Sequence, residues 1–419
     1  MLKSLAVRFL NSELFYKFLS FYIGRHIRQL QNPTNEKILK ELKWLQSLAS
    51  HVIPNQEDRA HEARVFKKVI GYFEGEDSNY TRKIKRTIEL MGERYLKTFL
   101  VDLLAERMGI GHVNRKHNRG PYLEFVVIQP TSRCNCSCQG CFADKDTSSL
   151  DYKTLDKVIG ESKDLTARMV IVLGGEPLLE KDNLLKLFAR YNRMPFLLYT
   201  NGKLLDEATA KEIADLGNVI TFLNIPGLEK TTNYWRRDSN GWKDIASAAE
   251  NLSKYKAAAG FSSTVSNLNH RELSSESFVE KMIEFNMILG FYFPHQHALG
   301  CPANPELDLT PELNNGFSER IKTLSSTYPI ILLDTSNGEE TILGCLAAKG
   351  SFVYVRSDGN AAACPLIPQS DDSLNVRNHS LADILSGPYF RHLRNLGKGH
   401  TCLARSKEFK DQVEEYQLV

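Results

Sequence analysis

The segment Pro130-Thr-Ser-Arg-Cys134-Asn-Cys-Ser-Cys138-Gln-Gly-Cys141 decides how this chain is interpreted. It places three cysteines at the spacing Cys-x3-Cys-x2-Cys, on a loop that follows an apolar strand predicted over 123–128. Thiolates at this spacing can each bind one iron of a [4Fe–4S] cube and leave the fourth iron open. A structural zinc site is the alternative. Zinc usually takes four ligands in two separate pairs, however, whereas these three cysteines crowd one loop beside Cys136.

A second motif, Leu173-Gly174-Gly175-Glu176-Pro177, ends the next predicted strand, over 169–173. The two glycines let the backbone approach a ligand closely, and Glu176 offers a carboxylate to an ammonium group. The cysteine loop and this motif together closely resemble the radical S-adenosylmethionine (SAM) enzymes. The resemblance implies that the open iron binds SAM and that Glu176 holds the SAM amino group. It also implies that one electron from the cluster cleaves SAM to a 5′-deoxyadenosyl radical.

Further SAM contacts follow from the same resemblance. Counting along the fourth strand and the segment after it places Asn224 at the ribose contact and Arg236 at the SAM carboxylate, which suits a bidentate guanidinium. Many relatives carry an aromatic residue where this chain has Gly140. The implied cofactor-binding residues are Gly174, Gly175, Glu176, Asn224, Arg236, Ser266, Asn267 and Phe142.

Strand and helix patterns alternate between residue 121 and about 293. Strands are predicted over 123–128, 169–173, 196–199, 219–224, 261–266 and 290–293, with helices over 152–163, 181–191, 207–216, 242–258 and 275–286. Six such units predict an α/β fold, a partial (β/α)6 barrel with its active site at the carboxyl ends of the strands. We expect three domains: an all-helical N-terminal domain (1–113), the radical SAM core (114–330) and a small iron–sulfur extension (331–419).

The extension carries the pattern Cys345-x13-Gly359-x4-Cys364, followed by Cys402. It resembles the truncated "twitch" form of the SPASM extension, which implies an auxiliary iron–sulfur cluster bound by Cys345, Cys364 and Cys402. Asp358-Gly359 predicts the turn of a hairpin that returns Cys364 toward Cys345. Buried apolar cysteines are the alternative.

Cys301 follows the sixth predicted strand and is therefore expected near the barrel mouth. It is a candidate hydrogen-atom donor to a substrate radical, an auxiliary-cluster ligand or an ordinary free thiol. His295 and His297 in the same stretch are candidate acid–base groups, with solvated loop histidines as the favoured interpretation.

The composition excludes several other functions. The net charge of the 419 residues is +3, which gives no indication of nucleic-acid binding, and no segment is long and apolar enough for a transmembrane span. Eight cysteines without a secretion signal indicate reduced thiols in a cytoplasmic protein. The aromatic first helix, near residues 9–22, is expected to pack on the barrel or a partner, with peripheral membrane contact as the alternative.

These patterns predict a radical SAM enzyme that abstracts a hydrogen atom from an unactivated carbon of a small-molecule or lipid substrate, for oxidation or oxidative bond formation. Redox-neutral epimerisation with Cys301 as donor and peptide maturation are the alternatives. An electron carrier is disfavoured because Glu176 and Arg236 would then lack a ligand. The expected cofactors are a [4Fe–4S] cluster, SAM and an auxiliary cluster, and the expected partner is an electron donor such as flavodoxin or ferredoxin.

Overall fold

The structure is a computed structural model that describes residues 34–52, 79–98, 121, 123–141, 147–296, 304–335, 350–367 and 371–396, and also residues 60, 63, 64, 67, 70, 71 and 347. The predicted site residues Phe142, Cys301, Cys345 and Cys402 lie outside the described residues, as do His297 and the aromatic first helix.

One nine-stranded sheet organises the described chain, in the order β7-β6-β5-β4-β3-β2-β1-β8-β9. Every neighbouring pair is parallel except β8 and β9, which form an antiparallel hairpin. The strands are β1 (Phe125–Ile128), β2 (Met169–Val172), β3 (Phe196–Thr200), β4 (Val219–Asn224), β5 (Ala259–Val265), β6 (Leu289–Pro294), β7 (Ile331–Asp334), β8 (Phe352–Val355) and β9 (Ala361–Ala362). The prediction of an α/β fold with a partial barrel is confirmed.

Described helices precede the sheet, connect the strands from β1 to β7 and follow β9. They are α1 (Asn35–Val52), α2 (Asn79–Leu90), α3 (Tyr152–Asp164), α4 (Lys181–Arg190), α5 (Glu207–Leu216), α6 (Glu229–Arg236), α7 (Gly241–Lys254), α8 (His270–Leu273), α9 (Glu276–Glu284), α10 (Pro311–Thr327), α11 (Leu381–Ser386) and α12 (Pro388–Leu396). Side-chain caps fix several starts, as where Asp206 accepts a hydrogen bond from the Thr209 N–H. Helix α7 ends four residues before its predicted end, because Lys256 turns left-handed (φ 52°) and the Ala257 N–H returns to the Leu252 carbonyl.

Three strands extend the sheet beyond the six predicted for the barrel: β7, which was not predicted, and the two strands of the predicted C-terminal hairpin. Strand β7 extends the sheet from β6, and β8 pairs in parallel with β1, so the C-terminal hairpin belongs to the same sheet as the barrel. The predicted hairpin is confirmed, with Gly359 at its turn in the left-handed region (φ 93°). The domain boundaries at 113/114 and 330/331 stay predictions.

The inner face of the sheet is apolar and aromatic. Phe222 stacks on Tyr199 with ring centroids 4.9 Å apart and lies 5.4 Å from Phe291, which stacks on Phe293 at 5.8 Å. The nine strands carry a single charged residue, Asp334, and its carboxylate accepts a hydrogen bond from Ser318 on α10. The strand positions that face the barrel interior are therefore uncharged.

The N-terminal residues that the structure describes are helical and contact the barrel helices. The Arg86 guanidinium donates to the carbonyl oxygens of Met287 (2.5 Å) and Ile283 (3.0 Å) at the end of α9, and the Tyr95 hydroxyl donates to the Ile213 carbonyl of α5. Cations near the carbonyl end of a helix complement its dipole. In the described ranges no helix combines the length and hydropathy needed to cross a membrane.

Candidate functional site

The cysteine loop, residues 129–141, lies at the carboxyl edge of the sheet and is fixed from one side by β2. The N–H groups of Gly175 and Glu176 donate to the carbonyl oxygens of Thr131 (2.9 Å) and Arg133 (2.8 Å). A Cβ added at Gly175 would lie 2.1 Å from the Arg133 oxygen, so only glycine allows this approach. The close contact of the glycine pair is therefore with the cysteine loop itself, and a backbone contact to a ligand stays a prediction.

The opposite side of the loop is held by β3 and α6. The Gln139 N–H donates to the Trp235 carbonyl at 2.9 Å, and the Gln139 side-chain amide donates to the Tyr234 carbonyl at 3.0 Å. The Asn201 amide donates to the side chain of Asn135 at 2.7 Å. Sequence reasoning missed α6, the helix that supplies the two carbonyls. Three strand ends and this helix thus hold the loop.

The thiols of the loop lie close to one another. Cys136 shares hydrogen bonds with Cys134 and Cys138, so it lies among the predicted ligands and does not point away from them. The pKa of the Cys138 thiol is lowered, first by the hydrogen bond with Cys136 and also by the positive charge of Arg236, while burial acts in the opposite direction. The lowered pKa favours the thiolate, the form that binds iron, at Cys138, whereas the hydrogen bond with Cys136 and burial raise the pKa of the Cys134 thiol.

No three His, Cys, Asp or Glu side chains within the described ranges converge on a single metal ion. The donor chemistry, three thiols on one anchored loop, fits an iron–sulfur cube, whose thiolates each bind a separate iron.

Glu176 is completely buried and accepts three hydrogen bonds at the end of β2. Its Oε1 accepts from the Thr200 hydroxyl (2.7 Å) and the Leu178 N–H (3.0 Å), and its Oε2 accepts from the Asn201 N–H (2.8 Å). Burial raises the pKa of this carboxyl, while the three donors and the charge of Arg236 act against that rise. The carboxylate therefore joins the ends of β2 and β3, and its role toward the SAM amino group stays a prediction.

Arg236, at the end of α6, is the largest fully buried side chain in the described part of the chain. Its Nη2 donates to the carbonyl oxygens of Asn201 (2.7 Å) and Asn224 (2.8 Å), and its Nη1 donates to that of Gly241 (3.2 Å). Its Nε–H is buried and has no hydrogen-bond partner among the residues that the structure describes. An anionic ligand group would satisfy this donor, but both Nη2 protons are taken by backbone carbonyls, so the predicted bidentate contact with the SAM carboxylate stays a prediction.

The remaining predicted contacts lie on the same edge of the sheet. Asn224 ends β4 and contributes its carbonyl to Arg236. Ser266 is buried, and both its N–H and its hydroxyl bond the Asn269 side chain, at 2.8 and 3.0 Å. Asn267 is exposed, and its N–H donates to the Leu307 carbonyl. The structure thus brings Asn224 to Arg236, while ligand contacts by Ser266 and Asn267 stay predictions.

His295 follows β6 directly and is buried at 8% exposure, so the interpretation as a solvated loop histidine was wrong. Its Nδ1 is hydrogen bonded to the Asp308 carboxylate at 2.9 Å. A Cβ added at Gly140 would lie 2.9 Å from its Nε2, which places the imidazole against the cysteine loop. The sequence carried no signal for this contact, because Asp308 and Gly140 are distant from His295 along the chain.

Cys364 is the one predicted auxiliary ligand that falls within the described residues. It follows β9, is half-buried and packs against the main hydrophobic core. The predicted metal-binding role of Cys345, Cys364 and Cys402 therefore stays a prediction, as does the role of Cys301.

The family model described as the radical SAM superfamily matches residues 128–274. This range contains the cysteine loop, the Gly174–Glu176 motif, Arg236 and the ends of β1 to β5.

Three curated proteins from other organisms are similar in sequence. The Fe-coproporphyrin III synthase of Methanosarcina barkeri is 26% identical over 35% of this chain and 38% of its own length. The GTP 3′,8-cyclase of Aliarcobacter butzleri is 33% identical over 27% of this chain and 38% of its own length. The tungsten-containing aldehyde ferredoxin oxidoreductase cofactor-modifying protein of Pyrococcus furiosus is 20% identical over 66% of this chain and 85% of its own length. The chain thus spans well under half the length of the first two relatives.

Two solved proteins share the fold over most of their length. SuiB of Streptococcus suis bound to SAM superposes with a TM-score of 0.58 at 15% identity, over 80% of this chain and 92% of SuiB. The structure of anSMEcpe with bound AdoMet and Cp18Cys peptide gives a TM-score of 0.55 at 20% identity, over 69% of this chain and 87% of anSMEcpe. At these identities the likeness concerns the fold alone.

Proposed function

Because the chain belongs to the radical SAM superfamily, whose members use a [4Fe–4S] cluster and SAM, we propose that it abstracts a hydrogen atom from an unactivated carbon of a small-molecule or lipid substrate. The observation that carries this proposal is the cysteine loop at the carboxyl edge of a parallel sheet, with Glu176 and Arg236 beside it. The carboxyl edge is where barrels of this kind bind their ligands.

The residues have separate tasks in this proposal. Cys134, Cys138 and Cys141 hold the cluster, and Arg236 stabilises the thiolate of Cys138. When bound, the cluster supplies the electron that cleaves SAM to methionine and a 5′-deoxyadenosyl radical, which then takes the substrate hydrogen. Glu176 and Arg236 orient the amino and carboxylate groups of SAM. A low-potential electron donor such as flavodoxin or ferredoxin is the required partner.

The substrate class is inferred from the inner face of the sheet. The strand positions facing the interior carry no charged side chain, and four aromatic rings, Tyr199, Phe222, Phe291 and Phe293, lie in contact along β3, β4 and β6. Apolar walls favour an apolar part of a substrate and exclude unpaired charges. This supports a lipid or an uncharged portion of a small molecule.

We assign an oxidation or an oxidative bond formation, with an auxiliary cluster held by Cys345, Cys364 and Cys402 as electron acceptor. The hairpin supports this assignment, because the turn at Gly359 sends β9, and Cys364 after it, back along β8. Epimerisation with Cys301 as hydrogen donor is the alternative chemistry. The two are separated in D2O, because a thiol exchanges its proton with solvent. One deuterium at the reacting carbon supports epimerisation, whereas loss of two hydrogens without solvent deuterium supports oxidation.

Peptide modification is the second candidate substrate class. It is favoured by the fold neighbours, whose structures include anSMEcpe with the Cp18Cys peptide and SuiB with the precursor peptide SuiA. Anaerobic incubation with a lipid extract and, separately, with a tryptic peptide pool compares the two classes. The class that raises the rate of 5′-deoxyadenosine formation contains the substrate.

The radical chemistry itself is tested by anaerobic reconstitution and reduction with dithionite. Wild type is expected to form 5′-deoxyadenosine and methionine slowly without substrate. The variant with Cys134, Cys138 and Cys141 all changed to alanine loses this product. Cys136→Ala is the matched control and still forms 5′-deoxyadenosine, although the Cys136 thiol shares hydrogen bonds with Cys134 and Cys138. Product from the triple variant would exclude the loop as the reaction centre.

A further inference from the structure

The imidazole of His295 is enclosed between two parts of the chain that are far apart in sequence. The His295 N–H donates to the Val265 carbonyl at 2.7 Å, which fixes its backbone at the ends of β5 and β6. On one edge of the ring, Nδ1 is hydrogen bonded to Asp308. The side chain of His295 is 3% exposed and that of Asp308 is 42% exposed, so the carboxylate connects a buried ring to the surface.

The other edge of the ring faces the cysteine loop at Gly140, between Cys138 and Cys141. A Cβ at Gly140 would lie 2.9 Å from Nε2 and 3.0 Å from Cδ2 of His295, and 2.7 Å from Cδ1 of Leu307. Gly140 itself is left-handed, with φ 64°. The volume that a side chain on the loop would need is thus filled by His295 and Leu307, which come from elsewhere in the chain.

The segment that carries Leu307 and Asp308 is itself supported. Leu307 is buried at 2% exposure, its N–H donates to the Asn304 carbonyl at 3.0 Å, and its carbonyl accepts from the Asn267 N–H at 3.0 Å. The end of β5 therefore supports the segment, and the segment together with His295 supports the loop at Gly140.

We propose that His295, oriented by Asp308, is a positioning residue for the Gly140–Cys141 end of the cysteine loop. A carboxylate that accepts from one ring nitrogen fixes the tautomer and the orientation of an imidazole. The ring then limits the positions that Gly140 can adopt, and the adjacent Cys141 is held in the geometry required of a ligand. This inference rests on the proposed function in assigning Cys141 to the cluster, whereas its geometric part concerns the protein alone.

Two variants separate positioning of the loop from simple attachment of the 304–308 segment. His295→Asn keeps a donor close to the Nδ1 position, and hence the bond to Asp308, but loses the ring atoms at Gly140. His295→Gln places an amide near the Nε2 position and loses the bond to Asp308. His270→Asn is the matched control, because the His270 Nδ1 is hydrogen bonded to a backbone carbonyl, that of Asn267 at 3.1 Å, at a position just after β5.

The first measurement uses the full chain without metal, under anaerobic reducing conditions. The rate at which iodoacetamide alkylates Cys138, the half-buried thiol two residues before Gly140, is followed by peptide mass spectrometry, with the half-buried Cys364 as an internal reference. We expect His295→Asn to raise the Cys138 rate about fivefold through easier local opening of the loop, with Cys364 unchanged. His295→Gln is expected to lie between His295→Asn and wild type, and His270→Asn to match wild type.

The second measurement uses the reconstituted chain. Iron release to a chelator is expected to be about fivefold faster in His295→Asn than in wild type, and the EPR spectrum of the reduced cluster is expected to change. Wild-type alkylation and wild-type iron release in His295→Asn would overturn the inference, and so would equal acceleration at Cys138 and Cys364, which indicates general unfolding. If wild type binds no iron, the proposed function fails, while the alkylation result still decides the geometric part.

Discussion

Replacement of Glu176 by glutamine tests the connection between the ends of β2 and β3. The carboxylate is fully buried and accepts from the Thr200 hydroxyl and the Leu178 N–H at one oxygen and from the Asn201 N–H at the other. Glutamine has almost the same shape but only one oxygen. If that oxygen keeps the bonds of Oε1, the amide NH2 faces the Asn201 N–H, and two donors then point at each other.

The magnitude follows from the single bond that is lost. Hydrogen bonds to a charged group contribute about 1.5–3 kcal/mol, and a buried donor left unpaired adds to the loss, so we expect the free energy of unfolding to fall by roughly 2–3 kcal/mol. Thr200→Val is the comparison variant, because it removes one donor to Oε1, together with the acceptor of the Gly202 N–H, without placing a donor opposite Asn201. We expect a smaller loss there, about 1–2 kcal/mol.

Equilibrium unfolding in urea, followed by far-UV circular dichroism, measures the change in free energy. Iron content and equilibrium dialysis with SAM are measured on the same preparations after reconstitution. We expect the iron content to be unchanged. The affinity for SAM should be lower by about tenfold to a hundredfold. Wild-type stability in Glu176→Gln would refute the three-bond geometry. A stability loss with unchanged SAM affinity would leave the geometry standing and refute the assignment of Glu176 to the SAM amino group.

Three further outcomes are expected. Arg236→Lys replaces a planar fork that reaches three carbonyls by a single ammonium, so the free energy of unfolding should fall by roughly 2 kcal/mol and SAM affinity by about tenfold; wild-type values in both assays would contradict the contacts described for this guanidinium. Burial raises the pKa of Glu176 in the folded protein above the ordinary value of 4.5. The contribution of Glu176 to the free energy of unfolding is therefore complete at a pH below the pKa of the unfolded state, and it is lost as the pH rises through the pKa of the folded state. The excess stability of wild type over Glu176→Gln, measured by urea unfolding from acid to neutral pH, should therefore decrease, and a constant difference would exclude a raised pKa. Wild type should bind about eight irons, two cubes of four, and the variant lacking Cys345, Cys364 and Cys402 about four while still cleaving SAM; about four irons in wild type would mean that these cysteines hold no cluster.

The regular elements of the core were predictable from local pattern. Strand β4 and helix α5 begin and end at the predicted residues, because β4 is rich in β-branched and apolar residues and α5 is bounded by the Asp206 cap and the left-handed Gly217. Helix α6 was missed because only Thr232, Trp235 and Arg236 among its residues are buried, which leaves no apolar periodicity. Its helical form depends on contacts with the rest of the fold.

The edge of the sheet at which the candidate residues lie was predictable, but their contacts were not. The motifs placed Glu176 and Arg236 at the correct edge of the sheet, because strand ends of a parallel barrel meet there. The partners Thr200 and Asn201 for Glu176 depend on the register between β2 and β3, which no local pattern encodes. The ring of His295 is an extreme case, since both Asp308 and Gly140 reach it only through the fold.

One buried cation connects the parts of this site. Arg236 binds the carbonyl oxygens at the ends of β3 and β4, opposes the burial-driven rise in the pKa of Glu176 and lowers the pKa of Cys138. A buried charge without a direct carboxylate partner is unfavourable unless nearby anions offset it. Glu176, the thiolates of the cysteine loop and the carboxylate of SAM would be those anions. The arginine is thus most stable when the loop is ionised and a ligand is bound, which couples assembly of the site to its occupation.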